Sequence, residues 1–114
     1  MYANGVPSPV RFVEISIVTV EANGLLPDEE YRALQVALML RPEQGVVIPG
    51  SGGLRKLRWA GRGHGKRGGI RVIYYWYVED EAFFMLLAYA KNTQEDLTAS
   101  QVKILRQLVR EEMQ

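Results

Sequence analysis

A chain of 114 residues with 47 % hydrophobic content is one domain by length, and it can bury roughly two-thirds of its unfolded surface. Its 24 % charged residues, 11 Gly and 5 Pro exclude a disordered or collagen-like chain, and the length excludes a multidomain or coiled-coil protein. Cysteine is absent, which excludes a disulfide framework, a thiolate zinc site and a cysteine nucleophile and fits a reducing compartment.

Residues 1–9 carry no positive charge and no apolar run of signal-peptide length, so a loose tail and no secretory segment are expected there. The longest apolar runs, 33–40 and 82–90, fall short of the ~20 residues that cross a bilayer. A soluble protein without membrane partners is expected. The β-branched stretch RFVEISIVTV (11–20) predicts a first strand, bent near Ser16. Pro27 followed by Asp28, Glu29 and Glu30 suits a helix start, with Pro at the first helical position. Tyr31, Leu34 and Leu38 then give an amphipathic stripe that stops near Arg41, ahead of Pro42.

A short apolar piece, 46–48, leads into the turn PGSGG (49–53). LRKLRWA (54–60) alternates, with Arg55, Leu57 and Trp59 on one face and Lys56 and Arg58 on the other. The loop GRGHGKRGG (61–69) connects it to IRVIYYWYV (70–78), a second strand. There Ile70, Val72, Tyr74, Trp76 and Val78 oppose Arg71, Ile73, Tyr75 and Tyr77. After the acidic turn 79–81, AFFMLLAYAK (82–91) reads as a central strand covered on both faces. Thr98 with Gln101 forms a capping box for a C-terminal helix of about three turns, buried through Val102, Leu105 and Val109. The expected fold is α+β, an antiparallel sheet with helices on one face.

The formal charge of +1 conceals a strong asymmetry. Residues 44–78 hold Arg55, Lys56, Arg58, Arg62, Lys66, Arg67 and Arg71 and no acid, a charge of +7; the rest of the chain carries 7 basic against 13 acidic residues. A basic, Gly-rich centre between acidic flanks attracts polyanions. Gly63, Gly65 and Gly68 satisfy a dinucleotide-type glycine spacing, but a strand follows where a helix N-terminus is required. The phosphate-loop pattern also fails, because Ala60 replaces its first Gly and Arg67 its Ser or Thr. One histidine, with acids confined to turns and helix ends, offers no metal site, and no cofactor is expected.

What remains is phosphate chemistry. If 54–60 and 70–78 pair as a hairpin, Lys56, Arg58 and Arg71 converge on one phosphodiester. RNA carries its own nucleophile, the 2′-hydroxyl, so cleavage needs in-line alignment, charge stabilisation and proton transfer. Lys56 among arginines suits either a proton shuttle or a purely electrostatic role. Arg55, Arg62, His64, Lys66 and Arg67 are candidate RNA contacts, and Tyr75 and Tyr77, sharing a face with Arg71, are the aromatics that could stack on a base.

IPGSGGLRKLRWAGRGHGKRGGIRVIYYW and LLAYAKNTQEDLT resemble the RelE/HigB-type toxins of bacterial toxin–antitoxin modules, in the HigB-like branch. The resemblance implies a RelE-like twisted antiparallel sheet of about four to five strands, with an N-terminal helix or helices and a C-terminal helix packed on it. It implies a cytoplasmic, metal-independent endoribonuclease that cuts translated mRNA on the ribosome. The implied partners are the ribosome, mRNA and a cognate antitoxin of helix-turn-helix type (HigA/Xre-like), which alone links the toxin to operator DNA. Lys56 and Arg58 match the family's basic pair, Arg71 its scissile-phosphate arginine and Lys91 a basic position after the last core strand. Asn92 stands where many RelE-like toxins carry a second arginine, and Tyr89 is a further candidate. A gyrase-poisoning ParE-like toxin and a non-catalytic RNA- or ribosome-binding module are the alternatives.

Overall fold

The computed structural model describes residues 2–3, 6–7, 10–14, 26–60, 69–91, 94 and 96–113. Two-residue strands β1 (Tyr2–Ala3) and β2 (Val6–Pro7) pair with each other apart from the main sheet. The main sheet contains β3 (Arg11–Glu14), β4 (Val46–Val47), β5 (Arg55–Trp59), β6 (Ile70–Tyr77) and β7 (Ala82–Ala90), in the order β3-β7-β6-β5-β4. Helices α1 (Asp28–Leu40) and α2 (Ala99–Met113) complete the fold. This is the expected α+β architecture. The predicted first strand is described as far as Glu14, and its continuation to residue 20 lies outside the described residues.

The sheet is mixed. Strands β4 to β7 run antiparallel to their neighbours, but β3 joins β7 in parallel, from Arg11 opposite Ala82 to Glu14 opposite Met85. Alternating polarity fixes which side chains share a face and is silent on strand direction, so the sequence pattern did not reveal the parallel edge. The near-continuous apolarity of β7 follows from its central place between β3 and β6, with both faces covered, and its alternation shifts once. Ile73 pairs with Leu87 and Tyr74 with Met85, leaving Leu86 as an extra residue in a bulge that resets the alternation. Ala82 through Leu86 are all buried.

The helices take opposite faces, correcting the expectation of one. On the first face, Phe12 stacks on Phe83 at 5.0 Å and Trp76 on Phe83 at 6.5 Å. Helix α1 covers that side: Leu34 and Leu38 are fully buried, and the Trp59 indole donates to Glu30 at 3.4 Å. Pro27 caps the helix from outside, in extended conformation, rather than forming its first turn. The chain leaving α1 is pinned by Tyr74, whose hydroxyl donates to the Pro42 carbonyl (2.7 Å) and accepts the Gly45 N–H (2.9 Å).

On the second face, Tyr75 and Tyr77 pack on Phe84 at 6.2 and 5.9 Å. There α2 borders an open cleft of about 190 Å³ lined by Val109, Arg106, Leu54 and Tyr75. The capping box forms as the sequence predicts: Thr98 N–H donates to Gln101 Oε1 (2.8 Å), and Gln101 N–H to Thr98 Oγ1 (3.1 Å). With 15 residues, α2 runs about a turn longer than expected. Among the described residues no helix is long and apolar enough to cross a membrane.

Candidate functional site

The β5–β6 register decides where the cations go. Arg58 lies directly opposite Arg71, and Lys56 opposite Ile73. With side chains alternating along each strand, Lys56, Arg58 and Arg71 occupy the same face. Directly opposed residues hold their Cβ atoms about 4.5–5.5 Å apart, so the two guanidinium groups start from adjacent positions. Arg71 is buried at 3 % exposure, while Arg58 is exposed and Lys56 half-buried. All three line one groove of about 550 Å³, walled by Gln44 and Val46 on one side and Asp96 on another.

Asp96 is the residue that the sequence reading missed. Its Oδ1 lies 2.5 Å from the Lys56 Nζ. The hydrogen bond and charge of Lys56, with a smaller contribution from Arg71, hold its carboxyl below the ordinary carboxylate range. Its only sequence signal is its position two residues ahead of the Thr98 capping box, which ties it to the start of a helix but not to a strand 40 residues earlier.

The other predicted contacts are distributed differently. Arg55 points to the opposite face, where its Nη1 donates to the carbonyls of Glu43 (3.0 Å) and Gly45 (2.7 Å) and braces the α1–β4 connection. Tyr75 shares the face of Arg71 but lies four residues along β6, about 13 Å at the strand rise, beside Gly53 and under α2. Lys91 is exposed just past β7, its N–H bonded to the Gly69 carbonyl at 2.8 Å, and so stands beside the start of β6. Tyr89 is buried directly opposite Arg71. Arg62, His64, Lys66, Arg67 and Asn92 lie outside the described residues.

A groove floored by a buried arginine, with a second arginine and a lysine on its wall, has a cationic surface of the kind that attracts anions. Guanidinium forks match phosphate oxygens in pairs. Residues 39–114, two-thirds of the chain and the whole of this groove, match the family model of the RelE toxin of the RelE/RelB toxin–antitoxin system. The chain belongs to the RelE toxin family. As a RelE toxin it is the toxin half of a toxin–antitoxin pair, and its partner is an antitoxin. The match takes in Lys56, Arg58, Arg71 and Asp96 and leaves β3 and most of α1 outside.

Proposed function

We propose that this RelE toxin is a ribosome-dependent endoribonuclease of the HigB-like branch, which cuts translated mRNA through its 2′-hydroxyl. The observation that carries the reading is the cross-strand pairing of Arg58 with Arg71 beside Lys56 in a single groove. In such a cleavage the 2′-hydroxyl gives its proton to solvent water, its oxygen attacks the adjacent phosphorus, the bond to the 5′-oxygen breaks, and a cyclic phosphate remains. Two requirements fall to the protein: stabilising charge on the crowded phosphate, and a proton for the departing oxygen.

Arg71 and Arg58 supply the charge. Arginine does not give up its proton in proteins, so of the three cations Lys56 is the one able to act as proton donor as well as counter-charge. The nucleophile comes with the substrate and the charge comes from side chains, so the proposed chemistry uses no metal or cofactor. The ribosome supplies what the groove does not: it holds the mRNA in a fixed geometry, where alignment accounts for much of the rate. In this reading the protein works in the cytoplasm and contacts operator DNA only through an antitoxin of helix-turn-helix type. An acidic segment of that antitoxin covers the cationic groove. Lys91 and the basic residues 62–67 extend the contact along the RNA.

The deciding experiment maps mRNA 5′ ends on programmed ribosomes. Wild-type protein yields cuts within codons, and Arg71→Ala reduces them at least ~100-fold, the usual effect of losing one charge-stabilising group. Equal growth arrest by wild type and Arg71→Ala, with intact mRNA, would reject the nuclease. DNA breakage in its place would indicate a gyrase poison, and mRNA binding without cutting would indicate a non-catalytic module.

A further inference from the structure

Among the described residues that line the cationic groove, Asp96 alone carries a negative charge, and its position is built. The Asp96 carboxylate meets Lys56 at 2.5 Å while remaining 71 % exposed. Its backbone is fixed from the other side. The Gln94 side-chain amide donates to the Asp96 carbonyl (2.8 Å) and to Gln101 Oε1 (2.9 Å), and the same Gln101 oxygen accepts the Thr98 N–H. The first turn of α2 therefore aims Asp96 across the groove at β5. An ion pair this exposed contributes little to stability, so folding alone does not account for the arrangement. To the Lys56 ammonium, a carboxylate oxygen and a phosphodiester oxygen are the same kind of partner: an anionic acceptor at charge-assisted distance.

We propose that Asp96 is a specificity-determining residue, an internal stand-in for phosphate that occupies Lys56 and weakens the groove's hold on RNA not positioned by other contacts. The inference rests on the RNA-cleaving reading above and deepens it. RNA free in solution depends on counterion release for its affinity, and with Asp96 in place it gains one cation fewer. RNA held at the groove by the ribosome arrives at high effective concentration and displaces the carboxylate. Because the Asp96 side chain is exposed and lies ahead of α2, outside the core, it swings aside without opening the core. The latch thus discriminates by how the strand is presented and not by its sequence.

The test uses the full-length chain and a 2′-O-methyl single-stranded RNA, which binds but lacks the nucleophile. By fluorescence anisotropy, Asp96→Asn binds it about three- to fivefold tighter at low salt, the scale of one exposed ion pair. Its salt dependence steepens by about 0.7 in log–log slope, as expected for one additional cation on a single strand. Asp96→Ala, with a thermal melt to verify folding, behaves like Asp96→Asn; Asp96→Glu stays near wild type. In a Lys56→Gln background, Asp96→Asn has less than half of that effect. Unchanged affinity and slope, or an equal gain in the absence of Lys56, would overturn the latch. So would loss of ribosomal cutting by Asp96→Asn with unaltered RNA binding, which would make Asp96 a positioning residue for Lys56. Failure of the wild type to cut on ribosomes would remove the nuclease reading, a result separate from these binding measurements.

Discussion

Arg58 and Arg71 face each other directly across the β5–β6 ladder. Like charges directly opposite on adjacent strands destabilise a sheet, and one of this pair is buried. The register therefore brings two guanidinium groups to adjacent positions, with the Asp96 carboxylate lining the same groove, and removing one of them tests how the pair affects the sheet.

Removing one of the two like charges should separate stability from activity. Arg58→Leu is expected to raise stability by about 0.2–1 kcal/mol, the range for cross-strand pairs, while sharply lowering ribosome-dependent cleavage. Denaturant melts and 5′-end mapping on the same preparation test both halves. A variant that loses stability along with activity would show that Arg58 is held by favourable contacts and that the opposed pair is not under strain.

Much of this groove was legible in the sequence. Alternation in LRKLRWA put Lys56 and Arg58 on one face and Arg55 on the other, and the Gly-rich loop implied the hairpin that brings Arg71 alongside. Alternation also placed Arg55 away from the groove, although charge alone nominated it as an RNA contact; its guanidinium serves the α1–β4 connection. The sequence did not disclose what depends on three-dimensional closure. The parallel edge strand, the two-sided placement of the helices and the Lys56–Asp96 contact arise from pairings distant in sequence. No local periodicity encodes them.

Tyr74 holds the connection that forms one wall of the groove. Its hydroxyl joins the Pro42 carbonyl and the Gly45 N–H, and Gln44, between them, lines the groove. Tyr74→Phe leaves both partners without that hydroxyl and is expected to cost about 1–3 kcal/mol. Gly45→Ala should destabilise as well, because a Cβ there would lie 2.8 Å from the Tyr74 ring. Urea denaturation of both variants measures the effect. A loss below about 0.5 kcal/mol for Tyr74→Phe would show that water replaces the hydroxyl.

The capping box of α2 has two consequences that one variant reports together. Gln101→Ala removes the acceptor for the Thr98 N–H and the link to Gln94. A cost of about 1 kcal/mol is expected, as for other helix caps. If the α2 start also aims Asp96, the same variant should strengthen binding of 2′-O-methyl RNA, by less than Asp96→Asn does. Thr98→Ala removes the Oγ1 acceptor for the Gln101 N–H and should lower stability by a similar amount. Loss of stability with RNA affinity unchanged would uncouple the helix cap from the carboxylate.

Alkaline pH should unfold the protein through two phenols. Burial is the main cause raising the Tyr31 phenol well above the ordinary value of 10.0, reinforced by the neighbouring Glu14 carboxylate. Burial likewise raises Tyr74. Once the chain unfolds, both tyrosines titrate near pH 10. Above that pH the native state retains protons that the unfolded chain has lost, so stability falls as pH rises from about 10 towards the raised native values, and below about 9 it is insensitive to these groups. Tyr31→Phe removes one of the two and should flatten the alkaline limb of the melting-temperature profile without changing its slope at neutral pH. Tyrosinate absorbance followed through the same melts should rise in step with unfolding. Equal alkaline slopes in wild type and Tyr31→Phe would mean that Tyr31 ionises in the folded protein, and that its hydroxyl is open to solvent.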